Sequence, residues 1–131
     1  MELDRQGRSP LHYAALTGDL SEVERLLSSG IDPNLGDGNG FTPLHLAAQE
    51  YQVDAARLLL DGGAAADRRN RFENTPLFVA VFNSQGRGEL IGLLRSRGAD
   101  PHAENSSGQT PVGLARMIAN HDVRSFFSDL D

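Results

Sequence analysis

The heptapeptide Ser9-Pro10-Leu11-His12-Tyr13-Ala14-Ala15 returns as Thr42-Pro43-Leu44-His45-Leu46-Ala47-Ala48, with first members 33 residues apart. Further copies begin at Thr75 and Thr110, 33 and 35 residues on. A unit of this length, used four times, cannot enclose a globular core. Each unit buries its apolar side on its neighbours, so the chain is expected to form a linear stack with shallow grooves instead of deep pockets.

Local structure follows from the unit's residues. Ser9 suits an N-cap and Pro10 the first helical position, where a missing N–H costs nothing because that donor has no helical acceptor. Leu11, Ala14 and Ala15 make an i, i+3, i+4 apolar face, and the small alanines permit close approach of a neighbour. Gly18 supplies a left-handed end. A second helix follows with Val23, Leu26 and Leu27 on its buried stripe, ending at Gly30. The stretch from Ile31 to Gly40 is rich in Asp, Asn, Pro and Gly and should form an extended turn or hairpin leading to Thr42. The layout recurs with Ala56, Leu59, Leu60 and Gly63, and again with Ile91, Leu94 and Gly98. Two extra residues in the third unit fall between its helices, within 83–88, and read as a tolerated surface loop.

The 33-residue period and the Thr-Pro-Leu-His-x-Ala signature resemble the ankyrin-repeat family from end to end. The resemblance implies an all-α solenoid of four stacked helix-turn-helix units with connecting β-hairpin-like turns. It also implies one domain over residues 1–131, with repeats at about 4–36, 37–69, 70–104 and 105–131. The fourth unit departs from the pattern: Val112, Gly113 and Arg116 stand where the family has Leu, His and Ala, and Phe126 and Phe127 replace a leucine pair. Such departures suit a terminal cap, which has one neighbour and one wet side. The resemblance further implies that His12 and His45 are structural, their rings bonding to neighbouring loop backbone. Asn74 to Phe127 is similar to small free-standing bacterial ankyrin proteins, some associated with toxin and immunity loci.

Chemistry other than binding finds little support. There is no cysteine, which excludes disulfides and thiolate zinc sites. His12 and His45 sit one repeat apart, about 8 to 10 Å between packed helices, too far to share a metal ion. His102 and His121 have no partner at ligand spacing. Gly36-Asp37-Gly38-Asn39-Gly40 lacks the ending of a phosphate loop and the terminal glutamate of a calcium loop, so it reads as a hairpin turn. No nucleophile elbow or paired carboxylates appear, and neither an enzyme, a cofactor nor a metal is expected.

The resemblance implies a continuous concave surface, made of turn tips and exposed sides of first helices, that binds another protein. Residues free of stacking duties are the candidates: Arg8; Asn39, Phe41, Gln49, Glu50 and Tyr51; Arg71, Phe72, Phe82 and Asn83; Gln109 and Met117. The aromatics beside arginine are the expected anchors. Tyr51 replaces the glycine at Gly18, so either backbone strain or a different helix end is expected there. Net charge is −6, which favours a basic partner surface over nucleic acid or anionic lipid. The N-terminus lacks the basic start and apolar stretch of a signal peptide, and no run approaches a membrane span. The expectation is a monomeric, cytoplasmic protein-binding module, with a toxin inhibitor as a narrower form. Alternatives are an adaptor segment of a larger protein, or a binder of nucleic acid or a small ligand through Arg68, Arg69 and Arg71.

Overall fold

A computed structural model describes residues 3–131. Met1 and Glu2, on which part of the N-terminal reading and the domain's first boundary fall, lie outside the described residues. Each of the first three units is a pair of antiparallel helices: α1 (Pro10–Thr17) with α2 (Leu20–Ser28), α3 (Pro43–Gln49) with α4 (Val53–Asp61), and α5 (Pro76–Phe82) with α6 (Glu89–Ser96). The fourth pairs α7 (Pro111–Met117) with a 3₁₀ segment over Arg124–Leu130. The helices α1, α3, α5 and α7 pack in one row, while α2, α4 and α6 form a second row behind it.

The signature residues explain the row of first helices. Thr42, Thr75 and Thr110 cap them, each hydroxyl accepting the N–H of the third helical residue at 3.3, 3.4 and 3.0 Å. The hydroxyls of Ser9 and Thr42 also meet Nδ1 of the histidine three residues on, each at 2.9 Å. Leu11, Leu44 and Leu77, one in each of the first three units, are fully buried, as are Ala15, Ala48 and Leu59. Each such leucine contributes about 1.5–3 kcal/mol, and deleting one leaves a cavity as well. Among the described residues no helix is long and apolar enough to cross a membrane.

The turns repeat as faithfully as the helices. Asp4, Asp37, Asn70 and Asn105 each accept two backbone N–H groups of their own tip on one side-chain oxygen, at 2.9 to 3.1 Å. Successive tips are joined by a backbone hydrogen bond: Gly38 N–H donates to the Gln6 carbonyl at 2.7 Å, Arg71 N–H to the Asn39 carbonyl at 2.9 Å, and Ser106 N–H to the Phe72 carbonyl at 3.1 Å. The tips are hairpin-like, with no extended strand among the described residues.

Two elements differ from the sequence expectation. The last one is a 3₁₀ segment interrupted at Phe127 (φ −124°), not a full outer helix. It has a neighbour on one side only, and Phe126 lies so close to Gly88 that a Cβ there would be 2.5 Å from its ring. The insertion within 83–88 falls between α5 and α6 as expected, yet it is firmly held. Tyr51 Oη donates to the Arg87 carbonyl at 2.5 Å and accepts from Leu90 N–H at 3.3 Å. The Arg87 guanidinium lies 4.1 Å from the Tyr51 ring centre, and its Nε donates to the Ser84 carbonyl at 2.8 Å.

Candidate functional site

His12 and His45 have both ring nitrogens committed. His45 Nδ1 accepts from Thr42 N–H at 3.2 Å, which leaves the proton on Nε2, and Nε2–H donates to the Asn74 carbonyl of the next tip at 2.8 Å. His12 does the same between Ser9 N–H (3.0 Å) and the Phe41 carbonyl (2.9 Å). Burial depresses both imidazoles, His45 to about 4, against the raising effect of the carbonyl each one bonds. These rings are neutral clamps between repeats, with no lone pair to spare. Among the described residues no three His, Asp or Glu side chains come together to hold a metal ion.

In the third unit the same position is Phe78, and in the fourth Gly113. A phenyl ring cannot clamp a carbonyl, and Phe78 faces the concave side instead. There it joins Phe41, Val79 and Phe82 as the apolar lining of a groove of ≈ 340 Å³ between α3 and α5, rimmed by Gln49, Asn74 and Asn83. A second groove of ≈ 400 Å³ lies between α5 and α7. Phe82, Leu114 and Ile118 supply its apolar wall, and Ser84, Gln85, Asn120 and His121 its polar one. Phe82 is shared by both grooves and is 70 % exposed, a ridge at the middle of the concave face. Met117, in register with it on α7, is 69 % exposed.

The expected contact residues divide into three groups. Phe41, Gln49, Phe82 and Asn83 are brought together in the first groove. Asn39, Arg71 and Phe72 cluster at the tips, where Arg71 Nη1 donates to Asn39 Oδ1 at 3.0 Å and its guanidinium stacks 5.2 Å from the Phe72 ring. Glu50, Gln109 and Met117 are exposed but line neither groove. Two expectations need correction. Tyr51 is 7 % exposed and braces the insertion, so it offers no contact surface. It carries the predicted strain (φ 53°) because that left-handed turn aims its ring at Arg87. Arg8 is tied to Asp37 across repeats, Nε to Oδ2 at 3.2 Å, and is largely spent on that pair.

The arginine cluster is not a single patch: Arg69 Nη1 donates to the Glu104 carbonyl at 2.5 Å, whereas Arg71 turns toward Asn39. Phe78 and Val79 were missed from sequence. The signal was present, since Phe78 breaks the histidine of the first two heptapeptides, but it reads as loss of a clamp before it reads as gain of a groove.

The geometry agrees with the comparisons. A family model described as ankyrin repeats (3 copies) matches residues 11–105. Over 118 residues the chain is 33 % identical to a putative ankyrin repeat protein, FPV024, of fowlpox virus, covering 88 % of this chain and 20 % of that one. It is 38 % identical to the nuclear factor NF-kappa-B p105 subunit of Gallus gallus over 104 residues, 76 % of this chain and 10 % of that one. Against serine/threonine-protein kinase 12 of Arabidopsis thaliana the identity is 40 % over 121 residues, 92 % of this chain and 25 % of that one. The chain thus spans a quarter or less of the length of each of these relatives.

Proposed function

Because the chain belongs to the ankyrin-repeat family, we propose that it is a non-enzymatic protein-binding module whose concave face, centred on Phe82, occupies a partner surface. Ankyrin repeats generally mediate association between proteins, which supports the class. One observation carries the site: a large aromatic ring stands 70 % exposed between two recesses on an otherwise well-packed array. Exposed aromatics at the centre of a face are the usual anchors of an interface, and a stack held by clamps and tip-to-tip bonds needs little ordering on association.

Around that anchor the net charge of −6 favours a partner with a basic periphery. The setting we infer is the cytoplasm, with the module monomeric until it meets its partner. The mode of action is the same for a free-standing module and for an adaptor segment of a longer protein. A toxin inhibitor is the special case in which the occupant is a toxin.

Affinity capture followed by quantitative mass spectrometry tests the reading. The wild-type chain is compared with Phe82→Ala on the concave face and with Glu24→Ala and Arg57→Ala on the outer helices. Specific partners should be depleted from Phe82→Ala, corresponding to about 2 kcal/mol of lost binding, and retained by the outer-helix variants. Depletion from the outer variants with full retention by Phe82→Ala places the interface on the convex side and ends this proposal.

A further inference from the structure

The two grooves differ from the rest of the surface in charge. In a chain of which 23 % is charged, neither groove is lined by an aspartate, a glutamate or an arginine. Their polar groups are mainly carboxamides: Gln49, Asn74 and Asn83 in the first, and Gln85 and Asn120 beside Ser84 and His121 in the second. Part of this capacity is used internally, since Asn83 Nδ2 donates to the Val79 carbonyl at 2.9 Å and Asn74 Oδ1 accepts from Asn105 Nδ2 at 2.8 Å. Among the described residues the Asn83 side-chain oxygen, the Asn74 amide nitrogen and the amides of Gln49, Gln85 and Asn120 have no hydrogen-bond partner, and all five residues line the grooves.

A carboxamide donates and accepts at once, so its natural complement is another amide, and the most abundant amide on a partner protein is its main chain. A helix cannot use it, because its backbone groups already bond to one another. The occupant therefore has open backbone groups and no charge at the grooves. The apolar linings add a spacing requirement. Successive first helices lie about 8 to 10 Å apart, and Phe82 separates one recess from the next. In a polyproline II chain, side chains three apart share one face and are about 9.3 Å apart, whereas in a β-strand residues three apart point to opposite faces.

Resting on the concave-face reading above, we propose that the two grooves flanking Phe82 form one recognition site for an uncharged segment of a partner in polyproline II conformation. Apolar or proline side chains at i and i+3 enter the two recesses, while the carboxamides bond to the segment's exposed peptide groups. The insertion of the third repeat belongs to this site. It contributes Ser84 and Gln85 to the second groove, and the Tyr51 and Arg87 bonds hold it there before any partner arrives. Gln85 is kept at a positive φ of 52°, a conformation that costs a non-glycine residue energy and is retained where the surroundings impose it.

The test uses a phage-displayed library of random twelve-residue peptides, selected on the wild-type chain and counter-selected on Phe82→Ala. The expected consensus is uncharged across its core, contains proline, and has apolar residues three apart. Synthetic peptides of that consensus should bind Phe82→Ala and Gln85→Gly at least tenfold more weakly than wild type. Their affinity should change less than about twofold between 50 and 500 mM salt, because no aspartate, glutamate or arginine lines the grooves. A Phe82-dependent consensus that is basic, or helical with apolar residues at i, i+4 and i+7, overturns the extended-segment proposal while leaving the concave face as the interface. Enrichment that survives Phe82→Ala but is lost on Glu24→Ala and Arg57→Ala, or no enrichment that depends on Phe82, overturns both.

Discussion

The interface between the second and third repeats and the one between the third and fourth are built on the same plan, and one residue separates them. At the former, His45 joins the cap of its own helix to the Asn74 carbonyl of the next tip. At the latter, Phe78 stands in that place and the corresponding carbonyl, on Gln109, is left with the N–H of Asn105. The clamped interface, with His45 fully buried, also carries the first groove on its concave side, between α3 and α5. Phe78, which makes no clamp to the fourth repeat, stays 8 % exposed and lines that first groove from the α5 side. Stability and binding surface here draw on the same position, and the repeat decides between them by what it places at the third residue of its first helix.

A second difference runs along the tips. Asp37 uses its spare carboxylate oxygen on Arg8, and Asn105 uses its amide on Asn74. Asn70, buried between them, has Nδ2 without a partner among the described residues. The residue in register with Arg8 and Asn74 at that tip is Phe41, which has no polar atom to offer and lines the groove. An orphaned donor costs about 1–3 kcal/mol, so the groove is again made at the expense of a tie between repeats.

The comparison is broken most directly at the clamp. His45→Ala removes a fully buried ring and both of its bonds, and should destabilise the chain by about 4 kcal/mol in urea melts. A loss under about 1 kcal/mol means that the clamp does not hold the two repeats together.

Acid acts on the same ring. Unfolded, His45 titrates near 6.5; in the fold burial lowers it to about 4. Above pH 6.5 both states are neutral and stability is unaffected. Between those values only the unfolded chain binds the proton, so stability falls as pH falls, by about 3 kcal/mol at pH 4, with His12 acting in the same direction. Melting temperatures measured across this range should decline, and the His45→Ala variant should show a shallower decline. An equal slope in both proteins would assign the effect to other groups.

Converting the unclamped interface into a clamped one sharpens the contrast. Phe78→His offers Nε2–H to the Gln109 carbonyl and withdraws a phenyl wall from the first groove. The expected result is a gain of about 1 kcal/mol in stability with weaker binding at the concave face. Lower stability together with unchanged binding would show that the phenyl ring serves packing alone.

The smallest effect is at the third tip. Glu73 holds a positive φ of 61° where the other tips have Gly7, Gly40 and Gly108, each at 76°. Glycine adopts this conformation without the Cβ clash but loses more freedom on folding. Glu73→Gly should therefore stabilise the chain by only about 0.5 kcal/mol, read as a small rise in melting temperature. A drop of similar size would mean that the glutamate side chain makes a contact worth more than the strain.

The repeat unit, its caps and its buried leucines were legible in the chain alone, because these depend on spacing and local propensity, which a linear string records. Leu44, Leu59 and Leu77 could be placed in the core from periodicity alone, and all three are fully buried. Phe41, Gln49, Phe82 and Asn83 were also legible as concave-face residues, since the stack has no use for them. Only the tertiary structure decided how those residues meet. Tyr51 looks free in sequence but reaches across 36 positions to Arg87, Arg8 is taken by Asp37 29 positions away, and the ring of Phe78 becomes a groove wall only once α3 and α5 lie side by side. Contacts of that kind depend on which repeat is next door and on how far its insertion extends, and neither is encoded in the period that reveals the fold.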